Sequence, residues 1–226
     1  MKLTTLYLIR HGTTDANANG IFQGVLDLPL NELGLRQAEA LGKRFENIEL
    51  DALYCTPLTR TRQTAEGLRG SKELPILVEP GIIEVDGGLM EAKKIAVIEA
   101  EFPGLMEVFK TDLPNFQAPG GESTRDVYDR VTSALTRIVA ENAGKTIACI
   151  SHGFAIQTFL WYAKGLPFEE MQQEILRNTA VCKFVFDTAG GLQIEYINDD
   201  RHLSDDLKCE QPPEFRVEKQ KAEGRA

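Results

Sequence analysis

Short apolar runs alternate along this chain with amphipathic helical stretches, and that alternation restricts the fold more than any other feature. The runs at 6–9, 52–55, 75–78 and 146–150 have the length of buried strands. Between them, Asn31 caps a predicted helix carrying Leu33, Leu41, Phe45 and Ile48 mostly on one face. Thr56-Pro57 reads as an N-cap with proline at the first helical position, the helix running to about Leu68. Ser123 caps another helix, whose Val127, Val131, Leu135, Ile138 and Val139 keep core spacing. A further helix follows 151–153 as far as Ala163, and 181–186 with 192–197 reads as a hairpin. Strand–helix alternation implies an α/β fold of three layers, α/β/α: a mainly parallel sheet covered on both faces, with one antiparallel edge strand.

The 226 residues suit one such domain, and an apolar fraction of 42% supplies its core. We expect the domain to span 1–207, with a lid-like insertion near 90–119 and a polar, flexible tail over 208–226. A net charge of −9 gives the molecule no electrostatic reason to seek nucleic acid or an anionic membrane. The apolar run before Arg10 is only four residues, too short for a leader or a membrane span. Cysteines at 55, 149, 182 and 209 form no CxxC pair, which points to reduced thiols in the cytoplasm. With three histidines and no close Cys/His group, no metal site is expected.

Arg10-His11-Gly12, Thr56-Pro57-Leu58-Thr59-Arg60 and Ser151-His152-Gly153 each stand where a predicted strand ends. In an open parallel sheet the carboxyl ends of the strands converge on one crevice, where ligands bind. Two histidines and two arginines gathered there would make a pocket for a tetrahedral dianion, because Arg presents forked, permanently charged donors. Helix N-termini after Thr56 and His152 would add backbone N–H groups. Cys55 invites comparison with a cysteine-nucleophile loop, but Cys, five residues, Arg would require arginine at Thr61. His202 reads as a surface or packing residue.

The stretch Arg10-His11-Gly12-Thr13-Thr14-Asp15-Ala16-Asn17 resembles the R-H-G-x-[ST]-x-x-N opening of the histidine phosphatase superfamily, in its phosphoglycerate mutase-like branch. The resemblance continues through Gln23-Gly24, Asp27-Leu28-Pro29-Leu30, Gly34-Leu35-Arg36-Gln37-Ala38 and the 56–65 segment. It resumes at Gly120-Gly121-Glu122-Ser123 and Ser151-His152-Gly153. It implies a phosphoglycerate mutase-like fold and a metal-independent phosphomonoesterase, with no cofactor, working through a phosphohistidine on a small phosphorylated metabolite. His11 would be the nucleophile, His152 the second pocket histidine, Arg10 and Arg60 the pocket arginines, and Glu84 the proton donor. Asn17, Gln23, Gly24 and Gly153 would contact the substrate.

The family's proton donor is often followed by an aromatic residue and a Glu-Gly pair, whereas here the chain reads Leu89-Met90-Glu91-Ala92. Asp86 and Glu91 therefore stand as alternative donors. Arg62, two residues beyond Arg60, points to another helix face and is read as peripheral. The alternative reaction is a phosphoglycerate mutase-type transfer. Mutases of the family usually carry Gly-Trp after the first loop, where this chain has Gly24-Val25, and a longer insertion before the second histidine. A catalytically silent phosphate-binding domain is the third reading. In 90–119, Phe102, Leu105, Met106, Phe109 and Phe116 mixed with Glu99, Glu101 and Lys110 suit either an amphipathic lid or ordinary helix packing.

Overall fold

The structure is a computed structural model and describes residues 2–209. Of the expected tail, all beyond Cys209 lies outside the described residues. The strands are β1 (Thr4–Arg10), β2 (Ala52–Cys55), β3 (Ile76–Val78), β4 (Thr146–Ser151), β5 (Val181–Phe186) and β6 (Leu192–Asp199). The helices are α1 (Asp15–Ala18), α2 (Glu32–Phe45), α3 (Thr59–Arg69), α4 (Ile95–Glu101), α5 (Leu105–Thr111), α6 (Thr124–Glu141) and α7 (Gly153–Ala163).

The strands form one six-stranded sheet in the order β3-β2-β4-β1-β5-β6. β1 to β4 run parallel, while β5 is antiparallel to both β1 and β6, so the hairpin supplies the antiparallel part of the sheet at one side. Strand alternation sends successive side chains to opposite faces. Leu6, Leu8, Ile147 and Cys149 therefore join α6 and α7 in one core, and Tyr7, Ile9, Ala148 and Ile150 join Leu41, Phe45, Ala65 and Leu68 of α2 and α3 in the other. Each fully buried Leu, Ile or Phe in these layers contributes about 1.5–3 kcal/mol relative to exposure.

Capping follows the sequence at α2, where the Asn31 side chain accepts from the Gly34 N–H, and at α6, where Ser123 and Asp126 form a reciprocal capping box. It departs at α3. That helix starts at Thr59, with Leu58 at the N-cap and no side-chain cap, so Thr56 and Pro57 remain in the turn that leaves β2. The loop after β1 also contains structure, since Thr14 and Asn17 cap the single turn of α1.

Close backbone packing holds the loop after β1 against α2. A Cβ on Gly34 would lie 2.1 Å from the Thr13 carbonyl oxygen, so only glycine fits at that crossing. From the 90–119 segment, Met106, Phe109, Leu113 and Phe116 are buried in the α6/α7 core.

Candidate active site

The β1–β4 register opposes Arg10 to Ser151, which brings the next residues, His11 and His152, side by side. Their ring centroids are 5.2 Å apart. Parallel pairing of β2 with β4 places Thr56 at the same level, and its hydroxyl oxygen is 3.0 Å from His152 Nε2. The Thr56 side chain thus serves a histidine from another strand instead of capping α3.

His11 Nδ1 lies 2.7 Å from the Gly12 carbonyl oxygen. A carbonyl only accepts, so Nδ1 carries the proton and Nε2 keeps its lone pair. Burial, then Arg60, then Arg10 hold His11 well below the usual imidazole range. Burial, Arg60 and His11 do the same to His152. Both rings are neutral at neutral pH.

The arginines are fixed through their terminal nitrogens. Arg60, fully buried, donates Nη1 to the Leu26 carbonyl at 2.6 Å and Nη2 to the Gly24 carbonyl at 2.7 Å. Arg10 donates Nη1 to the Leu176 carbonyl. Among the described residues, only five buried side-chain polar atoms lack a protein partner, and four belong here: Arg10 Nε, Arg60 Nε, His152 Nδ1 and Gln173 Oε1. Leaving buried polar groups without a partner is costly, and a cluster of them marks where a ligand supplies the partners.

Three carboxylates compete for the role of proton donor, and the structure treats them differently. Glu84 lines the same pocket as Arg10, His11 and Arg60. Its oxygens accept from Val85 N at 3.0 Å, Ala155 N at 3.1 Å and Phe154 N at 3.2 Å, the latter two at the N-terminus of α7. Asp86 accepts from Gly88 N at 2.9 Å and Glu91 from Val25 N at 2.8 Å and Gly87 N at 3.0 Å, so both are occupied in shaping turns. Neither of them lines the pocket.

Glu84 is held by Arg130, which no sequence signal singled out, together with Glu122 and Ser151 of the motif segments. Arg130 on α6 donates to the carbonyls of Ile83 at 2.7 Å and Glu84 at 2.8 Å, and pairs with Glu122 through Nε and Nη2. Glu122 also accepts from Asp86 N at 2.9 Å, while Ser151 donates to the Ile82 carbonyl at 2.7 Å. Burial pushes the Glu122 carboxyl up, but the hydrogen bonds from Arg130 and the Asp86 N–H and the Arg130 charge combine to hold it below the usual carboxylate range.

Asn17, Gln23, Gly24 and Gly153 all line the pocket. Gln157, Gln173 and Asn178, which the sequence reading missed, line it too. Asn178 donates to the His11 carbonyl at 3.0 Å. Nothing local in the sequence around Gln157, Gln173 or Asn178 distinguishes them from ordinary helix or loop polar residues. Arg62 lies outside the pocket and donates to the Pro57 carbonyl at 2.9 Å.

The buried histidines tie stability to pH. His202 is pushed down to about 4 by burial and by Arg44, and His11 and His152 are lowered as well. Unfolded histidines titrate near 6.5, so between that value and the depressed folded values the unfolded chain binds more protons. The contribution is complete above about pH 6.5 and is lost as pH falls toward 4. His202 alone accounts for up to about 3 kcal/mol by pH 4, less what its partial exposure screens. Melting temperature followed by circular dichroism is expected to fall steadily from pH 7 to pH 4.5; a flat profile would contradict neutral buried rings.

Comparison with known proteins agrees with this geometry. A probable phosphoglycerate mutase, GpmB, of Proteus mirabilis is 29% identical over 88% of this chain and 95% of its own length. Among solved structures, Bacillus stearothermophilus YhfR has a TM-score of 0.83 at 31% identity, covering 88% of this chain and 98% of that one. A mutant phosphoserine phosphatase from Entamoeba histolytica, in complex with phosphoserine, has a TM-score of 0.75 at 27% identity and covers 89% of this chain and all of its own. The sequence matches one family over residues 6–200, which takes in five strands and all but the first two residues of β1, and the whole pocket apart from Cys209. With two histidines and Arg10 at the ends of adjacent strands and Arg60 at the start of α3, this chain belongs to the histidine phosphatase superfamily, branch 1.

Proposed function

We propose that this protein is a phosphomonoesterase that passes the phosphoryl group of a small phosphorylated metabolite first to His11 and then to water. The observation that carries the reading is the cluster of three buried, unpartnered nitrogens, Arg10 Nε, Arg60 Nε and His152 Nδ1, around a neutral His11. A phosphoryl dianion supplies acceptor oxygens to all three. In the tautomer that accepts from the Thr56 hydroxyl at Nε2, the His152 proton sits on Nδ1, where it can meet a phosphate oxygen.

In the first half-reaction His11 Nε2 attacks phosphorus in line with the leaving oxygen, and the P–O bond breaks as the P–N bond forms. Arg10 and Arg60 offset the charge on the equatorial oxygens. Glu84 gives a proton to the departing alkoxide. In the second half-reaction Glu84 takes a proton from water, the hydroxide attacks phosphorus, and His11 leaves as the neutral imidazole. Asn17, Gln23, Gly24 and Gly153 are proposed to contact the substrate. The charge is supplied by side chains of the chain itself, and the mechanism calls on no cofactor.

The curated relatives named as probable mutases keep a second acceptor in view, the sugar-acid intermediate. The lining beyond the phosphate subsite favours water. Among the described residues, Ile21, Phe22, Val85, Phe109 and Phe154 share that lining with the neutral Gln157 and Gln173, and its remaining charged side chain, Glu174, is paired with Lys164. A substrate carboxylate placed there would lose its hydration and meet no unpaired cation in the described lining. Incubation with 3-phosphoglycerate and an aryl phosphate should release free phosphate from the aryl ester and yield little phosphoglycerate isomer. Rapid isomerisation would establish the mutase reading instead.

Two further readings belong with this proposal. Phe109 of α5 reaches the pocket, which supports 90–119 as a lid-like insertion on a single catalytic domain. Cys55, Cys149 and Cys182 are buried free thiols, which supports a reducing, cytoplasmic setting. No helix among the described residues is long and apolar enough to cross a membrane.

A further inference from the structure

His202 is the one histidine that the proposed chemistry does not use, and it is half-buried with both ring nitrogens against neighbouring side chains. Its Nδ1 is 3.3 Å from Arg44 Nη1 and its Nε2 is 3.2 Å from Thr179 Oγ1. A guanidinium only donates, so Nδ1 is the acceptor and Nε2 carries the proton. The ring therefore donates to the Thr179 hydroxyl, and that hydroxyl donates in turn to the Asn178 carbonyl at 2.8 Å. Arg44 is itself anchored on the Asp199 carbonyl and carboxylate at 3.0 and 2.9 Å.

Thr179 is fully buried and has φ of +55°, a left-handed conformation that a β-branched residue rarely adopts. Such strain persists only where the surroundings enforce it, and it clusters at functional sites. In this conformation the Thr179 N–H is shared between the carbonyls of Arg10 at 3.1 Å and His11 at 3.3 Å. Asn178 Nδ2 adds a second donor to the His11 carbonyl at 3.0 Å and reaches Asn17 Oδ1 at 3.3 Å. The two peptide units that carry the nucleophile and a pocket arginine are thus held from behind by residues 178 and 179.

We infer that His202 and Thr179 form a positioning relay that fixes the Arg10–His11 backbone and so aims His11, acting on catalysis without touching the substrate. The relay works only with a neutral imidazole, since a proton on Nδ1 would face the Arg44 guanidinium. Burial and Arg44 keep the ring neutral at working pH, against the opposing pull of Asp199 and Asp200. A left-handed residue held solely by its own turn would need no such partner. Here the side chain of a residue 23 positions away braces the strained one.

The inference rests on the phosphatase reading only for its kinetic part, and the test separates the two. His202→Leu removes the donor and His202→Gln restores an N–H at similar reach. Thr179→Val keeps the branched shape without the hydroxyl, and Thr179→Ser keeps the hydroxyl. With an aryl phosphate, His202→Leu and Thr179→Val should each lower kcat about 10-fold, with KM within about twofold, because small misplacement of a nucleophile is expensive. His202→Gln and Thr179→Ser should recover most of that loss. Hydrogen exchange at the Thr179 amide, read by NMR or mass spectrometry, should speed up in the Leu and Val variants and return toward wild type in the Gln and Ser pair. Wild-type kcat in His202→Leu, or a loss that Gln does not recover and that follows melting temperature, would overturn the relay. If His202→Leu does not fold, the Thr179 pair decides by the same criteria. Should the wild type hydrolyse no phosphomonoester, the phosphatase reading fails, while the amide exchange still decides whether the relay exists.

Discussion

His11→Ala is expected to lose turnover by on the order of 10⁴-fold or more, since removing a nucleophile abolishes the covalent route and leaves only binding and charge stabilisation. The binding machinery should survive the change. Arg10 and Arg60 are fixed by the carbonyls of Leu176, Leu26 and Gly24, none of which depends on the His11 ring. Affinity for inorganic phosphate should therefore stay close to that of the wild type. Rapid quench of the wild type with a labelled phosphomonoester should trap an acid-labile phosphoenzyme that is missing from His11→Ala. The two histidines are distinguished by their partners. His11 Nδ1 is tied to Gly12 with Nε2 left as the basic nitrogen, whereas His152 Nε2 is engaged by Thr56. Turnover in His11→Ala within 10-fold of wild type, or a phosphoenzyme that vanishes only in His152→Ala, would move the nucleophile.

Glu84→Gln carries the second large effect, a fall in kcat of about 10²–10⁴-fold on alkyl phosphates, the usual worth of a positioned general acid–base group. Glutamine keeps the size of the side chain and an oxygen for the N–H groups of Val85 and Ala155, giving up only the acceptor at Phe154 N, so the fold should be retained at a modest cost in stability. The loss should shrink on an aryl phosphate whose phenolate leaves without needing a proton, because only the step that demands the acid is slowed. Asp86→Asn and Glu91→Gln serve as the comparison. Their carboxylates hold Gly88 N, and Val25 N with Gly87 N, respectively, so their loss should appear mainly as a lower melting temperature, with kcat within a few-fold. If Asp86→Asn or Glu91→Gln instead reproduced the Glu84→Gln defect and its leaving-group dependence, the donor would be misassigned.

The two effects have different roots in the chain. Local pattern locates His11 and His152 because each stands at the end of an apolar run, and β1 and β4 became those runs' strands, paired in parallel as a mainly parallel sheet requires. The same logic found Arg60 on the helix after β2. It misplaced the start of that helix. Thr56-Pro57 has the form of a cap and first turn, yet the Thr56 hydroxyl is used by His152, 96 positions on. A cap is a local interaction worth about 1 kcal/mol, and a partner brought in by strand pairing can displace it.

Short-range pattern, then, yields the alternation of strands and helices, the two core faces and the residue types gathered at the strand ends. Period, capping chemistry and strand-end placement involve neighbours within a few positions, so they survive without knowledge of the fold. The choice among Glu84, Asp86 and Glu91 is of another kind. These three carboxylates are alike in chemistry and lie within one loop, and they differ only in what approaches them. Arg130 and Glu122 clamp the backbone beside Glu84, the N-terminus of α7 receives its oxygens, and Val25 and Gly87 claim Glu91. The relay of His202 and Thr179 behind His11 arises in the same manner, from segments nearly 170 and more than 190 residues further along the chain. Hydrogen bonds between such distant segments exist only after the sheet has formed, because direction and distance at those points are set by packing and not by any neighbour in sequence.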